Sequence, residues 1–315
     1  MSAKKNIIVL GAAESGVGAA LLAQAKGHTV FVSDRGIIQP DYKEKLTRAG
    51  IDFEENQHTL DRILQADEVI KSPGIPEKTA VIKAVREKNI PVVSEIEFAS
   101  RYTQARFVAI TGTNGKTTTT LLTYHFLKEA GYNVGLAGNV GYSLAEQVIE
   151  NKFDYYVLEL SSFQLDDITY FQPWVAVLLN ITPDHLDRYN YSLEEYAHAK
   201  LRMVRNQDSS DYFIYNADDE TIQRYFKAAL RPMLQLPFSL HHRPDFQLAG
   251  YYAEESMLAL DLAPGYYNGG TEEVSTANSP LIGEHNRQNV LAAVLAARVA
   301  GVGTQQIEAA LGTFH

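Results

Sequence analysis

The 315-residue sequence has no cysteine, a single tryptophan, and no apolar stretch approaching the roughly 20 residues a membrane helix needs. Without cysteine there is no disulfide, no thiolate zinc site and no cysteine nucleophile, and the chain fits a reducing compartment. Positive charge is also in short supply: 28 Lys and Arg stand against 38 Asp and Glu, a formal net charge of −10. That balance argues against a sequence-blind grip on nucleic-acid phosphates or anionic lipid, but leaves room for a local basic loop that binds a small anion. The start, Met1-Ser-Ala-Lys-Lys-Asn-Ile-Ile-Val-Leu10, sets charge before an apolar run, yet the run is short and Gly11 and Glu14 interrupt it. It reads as a first β-strand and not as a secretory signal. The expectation is a soluble cytoplasmic protein, taken as a monomer, with no nucleic-acid and no membrane partner.

An apolar fraction of 45% and a charged fraction of 21% are those of a globular protein, and the length suggests about two domains. Ile7–Leu10 enters a Gly-rich turn, a helix is expected from about Val17 to Lys26, and Val30–Val32 forms a second strand closing at Asp34. Such a β-α-β unit implies a parallel sheet with a right-handed crossover. Val69–Lys71 and Pro91–Val93 read as further strands, with a helix near Thr79–Lys88 between them. A new unit begins near Arg106, with strands at Phe107–Thr111, Tyr155–Leu160 and Val175–Ile181 and a helix at Thr117–Ala130. These strands are near-continuous apolar runs, as expected when helices cover both faces. Ser192–Arg205 reads as a helix opened by a capping box of Ser192 and Glu195. Short strands and turns alternate from Tyr212 to Pro280, and Asn286–Gly301 is an Ala-rich helix. The fold class is therefore α/β: a Rossmann-like parallel-sheet domain over 1–100, then a P-loop ATPase-like central α/β domain over 101–315 with a small antiparallel layer. The boundary is placed around Ser100–Ala105. There are no internal repeats and no low-complexity tract.

The segment Thr111-Gly-Thr-Asn-Gly-Lys-Thr-Thr118 lies between an apolar strand and a helix, the setting a phosphate loop requires. Glycines let backbone N–H groups turn toward one centre, and a helix N-terminus adds partial positive charge. Gly112, Thr113, Asn114, Gly115, Lys116, Thr117 and Thr118 are thus the expected ATP-binding residues. Lys116 can reach the β- and γ-phosphates and the Thr117 hydroxyl can ligate Mg²⁺. The loop is shorter than the standard pattern, because Ile110 stands where its first Gly belongs. A Gly-rich β-to-α turn without phosphate is the plainer alternative. Near the N-terminus, Gly11-Ala-Ala-Glu-Ser-Gly16-Val-Gly18 is a loose relative of the dinucleotide fingerprint, with Ala13 in place of its second glycine and Asp34 near the offset of a ribose-binding acid. Alone it suggests an NAD(P)-dependent oxidoreductase, a reading the missing glycine weakens.

The loop variant Gly112-Thr-Asn-Gly-Lys-Thr117 resembles that of the Mur ligase family. Further matches follow in order: Gly138-Asn-Val-Gly141, Leu158-Glu-Leu-Ser-Ser-Phe-Gln-Leu165, Asn180-Ile-Thr-Pro-Asp-His-Leu-Asp-Arg-Tyr189, Ala199-Lys-Leu201 and Glu284-His-Asn-Arg-Gln-Asn289. With Ser72-Pro-Gly74 and a Rossmann-like first domain, the resemblance is to the branch that adds D-glutamate to UDP-N-acetylmuramoyl-L-alanine; the L-alanine-adding branch is the nearest rival. It implies an ATP-dependent ligase of peptidoglycan synthesis that forms an acyl phosphate and uses two Mg²⁺ ions. It further implies Lys116, Glu159, His185 and Lys200 as catalytic residues, and Thr117, Glu159, His185 and Lys200 as metal ligands, with Lys200 carbamylated. Asn286 and Asn289 become nucleotide contacts, the plain alternative being an ordinary helix N-terminus. Glu14, Ser15, Asp34, Arg35, Ser72, Gly74, Asn139 and His185 become contacts to the UDP-substrate. Read residue by residue, Glu159 is otherwise a strand-end carboxylate, His185 a lone polar residue and Lys200 a solvated helix charge. The family has a third domain for the incoming amino acid, and Gly312-Thr-Phe-His315 resembles the start of the linker to it. The expectation is a truncated chain that binds UDP-substrate and ATP but ligates D-glutamate poorly.

Overall fold

The computed structural model describes residues 3–227, 232–244, 246–262 and 271–315. Elements run in the order β1 (Asn6–Leu10), α1 (Glu14–Ala25), β2 (Thr29–Ser33), α2 (Pro40–Arg48), β3 (Asp52–Glu54), α3 (Leu60–Ile63), β4 (Glu68–Lys71), α4 (Ala80–Glu87), β5 (Val92–Val93) and α5 (Glu95–Ser100). They continue as β6 (Arg106–Thr111), α6 (Lys116–Glu129), β7 (Val134–Gly138), α7 (Leu144–Glu150), β8 (Tyr155–Glu159), α8 (Ser162–Leu165), β9 (Val175–Leu178) and α9 (Leu193–Leu201). The last are β10 (Tyr212–Asn216), α10 (Glu220–Tyr225), β11 (Leu234–Phe238), β12 (Gly250–Glu254), β13 (Met257–Asp261), β14 (Thr271–Ser275), α11 (Glu284–Val299) and α12 (Thr304–Leu311). No helix among the described residues is long and apolar enough to cross a membrane.

The chain divides into two compact units, one holding the chain up to Gln104 with Gly141–Lys152 and Phe163–Phe171, the other holding the rest. In the first, five parallel strands run in the order β3-β2-β1-β4-β5. The β-branched and Leu run of β1 is the central strand and is fully buried, against Phe31, Val69 and Val92 of its neighbours and Val81, Ile82 and Val85 of α4. The strand order reverses about β1, and in such sheets ligands bind beyond the carboxyl ends of the strands at that switch. Helix α1 begins at Glu14, three residues before the expected Val17. Gly16 and Gly18 sit inside it because a Cβ on Gly16 would strike the carbonyl of Gly11, so the glycines are packing positions and not loop. The segment Phe163–Phe171 joins this unit because the fully buried Glu97 accepts the N–H groups of Thr169, Tyr170 and Phe171 at 3.0, 2.9 and 2.8 Å.

The second unit carries a nine-stranded sheet in the order β14-β13-β12-β11-β10-β9-β6-β8-β7. Strands β7 through β12 are parallel and only β12, β13 and β14 pair antiparallel. The antiparallel layer expected for 212–280 is therefore the edge of this same sheet, with 228–231, 245 and 263–270 outside the described residues. Helix α11 is apolar nearly all round, Val290 to Ala297 being buried, as a helix enclosed by its neighbours must be. Strand β9 ends at Leu178 and not at Ile181. The apolar run continues, but Asn180 turns away to bind the loop after β6, and the Ile181 N–H goes to Asp219 Oδ2 at 2.9 Å. Helix α9 closes four residues before the expected Arg205 and tightens into a 3₁₀ turn over Arg202–Val204. Only half of its capping box forms: Ser192 Oγ accepts from Glu195 N–H at 3.2 Å, while the Glu195 carboxylate accepts from Asn190.

Within the first unit a buried carboxyl fixes α7. Glu95 Oε1 accepts from Ser143 Oγ at 2.8 Å and from Ala145 N–H at 2.6 Å. Burial, with the neighbouring Glu14 carboxylate adding to it, pushes the Glu95 carboxyl up to about 7 against these hydrogen bonds. The native state therefore holds a proton that the unfolded chain releases near its ordinary value of 4.5. The stability this adds is complete below that value and is lost as pH rises through about 7. Between pH 5 and 8 the wild type is expected to lose on the order of 2–3 kcal/mol more than Glu95→Gln, at about 1.4 kcal/mol per pH unit. Urea unfolding of both proteins at the two pH values checks this; parallel pH profiles would contradict it.

Candidate functional site

In the second unit the loop after β6 is held from three sides. Gly115 takes a left-handed conformation, φ +82°, and a Cβ there would strike the side-chain amide of Asn289, so only glycine lets α6 begin beside α11. Asn180 Oδ1 accepts the N–H groups of Thr113 and Asn114 at 3.0 and 2.8 Å, and its Nδ2 donates to Asn114 O at 3.1 Å. The Thr113 hydroxyl donates to Thr182 O at 3.1 Å and lies 3.3 Å from the Tyr196 hydroxyl. The first intrahelical bond is Thr119 N–H to Gly115 O at 3.0 Å. The N–H groups of Lys116, Thr117 and Thr118 precede it, unpaired within the helix and backed by its dipole, as an anion requires.

Two lysines meet at one carbonyl of this loop. Lys116 Nζ donates to Gly112 O at 3.1 Å and to Thr113 O at 2.8 Å, and Lys200 Nζ donates to the same Gly112 O at 2.7 Å. Lys200 is 2% exposed and lies over the Tyr196 ring, 4.6 Å from its centroid. Burial first, and then repulsion from Lys116, bring its ammonium down to about 7 against the pull of Asp184. Burial also lowers Lys116, opposed by Glu159 and Asp184.

Glu159 ends β8, paired with Ile110 of β6, and is 1% exposed. Its Oε2 accepts from the Thr117 hydroxyl at 2.8 Å and its Oε1 from Asn139 Nδ2 at 2.8 Å. A hydroxyl and a carboxylate in contact at the loop are hard oxygen donors suited to Mg²⁺, which completes its shell with water and substrate phosphate oxygens. Among the described residues no cluster of three or more Asp, Glu, His or Cys that could hold a metal is formed. Of the four expected ligands, Thr117 and Glu159 are brought together. Lys200 is an amine bonded to Gly112 O, and His185, in a left-handed conformation, has a side chain 58% exposed, with Nε2 3.5 Å from Asp184 Oδ2. Asn289 packs at Gly115 and donates to Asn286 Oδ1 at 3.3 Å. Sequence reasoning assigned no role to Asn180, Asp184 or Tyr196. Asn180 lies within the apolar run Val175–Ile181 read as strand, so no local signal marked it.

In the first unit the ends of β1, β2 and β4 converge. Gly11 N–H donates to Ser33 O and Ser72 N–H to Leu10 O, both at 2.9 Å. A cavity of about 560 Å³ opens there, lined by Gly11, Asp34, Arg35, His58 and Gly74 among others. Asp34 organises its wall: Oδ2 accepts from Ala12 N–H at 2.6 Å and Oδ1 from Gly36 N–H at 2.7 Å. The Ser72 hydroxyl is buried against Gly11 without a hydrogen-bond partner. Glu14 accepts from Ser143 N–H at 3.2 Å, Ser15 lies in the first turn of α1, and Arg35 is exposed at the rim. Asn139 belongs to the second unit, against Glu159. His58 was not foreseen.

Residues 110–297 match the Mur ligase middle domain, and residues 5–94 match the N-terminal domain of MurD-like Mur ligases. The UDP-N-acetylmuramoylalanine–D-glutamate ligase of Porphyromonas gingivalis is 51% identical over 311 residues, covering 99% of this chain and 68% of that protein. The protein of the same name from Bacteroides fragilis is 50% identical over 312 residues, with the same coverage. Among solved structures, the UDP-N-acetylmuramate:L-alanyl-γ-D-glutamyl-meso-diaminopimelate ligase of Neisseria meningitidis superposes with a TM-score of 0.66 at 23% identity, covering 99% of each chain. A murein peptide ligase of Psychrobacter arcticus gives 0.62, also at 23%, over 98% of this chain and 68% of that one. At that identity the likeness concerns the fold alone. Family matches across both units and 50% identity over almost the whole chain lead to one assignment: the chain belongs to the Mur ligase family.

Proposed function

We propose that this chain is an ATP-dependent amide ligase that joins D-glutamate to the carboxylate of UDP-N-acetylmuramoyl-L-alanine, a step of peptidoglycan precursor synthesis. The observation that carries the reading is the pair Lys116 and Lys200 converging on Gly112 O beside the Thr117–Glu159 contact. A carboxylate and a triphosphate are both anionic, so joining them needs fixed positive charge at the loop and an ordered approach. Lys116 supplies that charge to the β- and γ-phosphates, and the N–H groups at the start of α6 orient them. The substrate carboxylate oxygen takes the γ-phosphoryl group and ADP leaves. The amine of D-glutamate then attacks the acyl carbon, inorganic phosphate departs with the carboxylate oxygen, and the amine proton is released. Two Mg²⁺ ions, when bound, neutralise the phosphate oxygens and align them. Thr117 and Glu159 would hold one; His185 and a carbamylated Lys200 would hold the other. A lysine brought to about 7 is in large part the free amine at neutral pH, the form that adds to carbon dioxide.

The first-unit cavity takes the UDP portion of the substrate. An oxidoreductase reading finds little support, since it leaves the Lys116 loop and the Thr117–Glu159 contact without a role. Calorimetric titration is expected to show tighter binding of UDP-N-acetylmuramoyl-L-alanine than of UDP-N-acetylmuramate; the opposite order would overturn the D-glutamate assignment.

A further inference from the structure

His58 lines the first-unit cavity beside Asp34 and Arg35, and a chain of hydrogen bonds fixes which of its nitrogens carries the proton. The chain starts at Glu54, whose carboxylate accepts Thr59 N–H at 2.8 Å, Gln57 Nε2 at 3.2 Å and Ser33 Oγ at 2.7 Å. Burial disfavours the ionised form of Glu54, but the hydrogen bonds from Thr59, Ser33 and Gln57 together hold its carboxyl below the usual range. An ionised carboxylate can only accept, so the single hydroxyl proton of Ser33 goes to Glu54. Ser33 Oγ, 2.7 Å from His58 Nδ1, is then left as an acceptor, and Nδ1–H is the donor. Burial keeps the imidazole below its ordinary value, reinforced by Arg35 and opposed by Glu54 and Asp34, so the ring is neutral at pH 7. In a neutral ring with Nδ1–H, Nε2 carries a lone pair. Nδ1 faces the fully buried Ser33, which leaves Nε2 on the opposite edge of a ring that lines the cavity.

We infer that His58 Nε2 is the acceptor for the N3–H of a uracil ring, making His58 the residue that selects uridine over cytidine nucleotides. Uracil presents a donor at N3 between two carbonyl acceptors; cytosine presents an acceptor at N3. A fixed lone pair pairs with the first and repels the second, and the Arg35 guanidinium at the rim is a donor for an adjacent carbonyl. The inference rests on the reading of this cavity as the UDP site.

The test uses calorimetry with UDP, CDP and the diphosphate of 3-methyluridine, for the wild-type chain, His58→Phe and Ser33→Ala. A buried acceptor facing an acceptor costs enough that the wild type is expected to bind UDP at least roughly tenfold more tightly than either analogue. In His58→Phe the UDP affinity falls, the CDP affinity rises as the acceptor–acceptor repulsion is removed, and the preference disappears. Ser33→Ala keeps the ring but frees its tautomer, so part of the preference is lost. Lowering the pH of the wild type through the His58 titration turns Nε2 into a donor, so UDP binding weakens and CDP binding strengthens. A urea-unfolding profile that matches the wild type reports that each variant is folded, and MgATP affinity reports the state of the second unit alone. Equal UDP and CDP affinities in the wild type, or a preference that survives in both variants, overturns the inference. If UDP does not bind while MgATP does, the UDP reading of the cavity falls with it; if UDP binds with a preference indifferent to His58, only the inference falls.

Discussion

Lys116→Met is expected to weaken MgATP binding by about thirty-fold to several-thousand-fold, the roughly 2–5 kcal/mol that follows when one partner of a desolvated charge pair is removed. The ammonium lies between the carbonyls of Gly112 and Thr113, where it already faces the loop mouth, so little reorganisation precedes its turn to a phosphate. Arginine is a poor replacement: its planar fork does not fit between two carbonyls less than one turn apart, and Lys116→Arg should recover only part of the affinity. The substitution has a second consequence at a distance of one carbonyl. Lys116 is one of the two causes holding Lys200 near 7, so its removal lets the Lys200 ammonium rise toward its ordinary value. Less free amine remains at neutral pH, and bicarbonate should then enhance turnover less than in the wild type. Because relief of the Lys116–Lys200 repulsion favours the fold, the thermal midpoint should not fall. Calorimetry with MgATP and a thermal melt separate the two effects. A variant that binds MgATP within threefold of wild type, at unchanged stability, would remove Lys116 from the site.

The strands that carry the loop were readable because β6, β8 and β9 are apolar runs of strand length flanked by glycine and polar residues. The loop itself was readable because its glycines and Lys116 are local in sequence. What escaped depends on groups far apart in the chain. Lys200 looks like any helical lysine until its side chain is seen buried over the Tyr196 ring, with its ammonium donating to Gly112 O, 88 residues away in the chain. The extent of β9 was overread because Leu179 and Ile181 are apolar like the strand before them, and nothing local says that Asn180 between them is needed elsewhere. The early start of α1 was missed because Gly16 and Gly18 look like loop residues when the close approach of Gly16 to the Gly11 carbonyl and of Gly18 to the Ser143 side chain is invisible. His58 was missed for the deepest reason. Its tautomer is set by Glu54 and Ser33 on different strands, and no spacing along the chain encodes that relay.

Asn180 should prove as sensitive as any residue of the loop it serves, although it lies 64 residues beyond Lys116 in the chain. Its amide makes three hydrogen bonds to Thr113 and Asn114, two as acceptor and one as donor. Removing them in Asn180→Ala is expected to lower stability by about 2–3 kcal/mol, at roughly 1 kcal/mol per bond, and to release the loop from its bound shape. Asn180→Asp distinguishes a clamp from a mere filler. The carboxylate can still accept the two N–H groups, with stronger bonds for being charged, but it sets an oxygen against Asn114 O and a negative charge beside the phosphate site. Stability should therefore follow the order wild type, Asp, Ala, while MgATP affinity follows wild type, Ala, Asp. An aspartate that is at once more stable than alanine and worse at binding nucleotide has no explanation in packing alone. Urea unfolding gives the first order and calorimetry the second. If both properties rank the variants identically, Asn180 acts on the fold as a whole, and the claim that it shapes the loop for an anion is wrong.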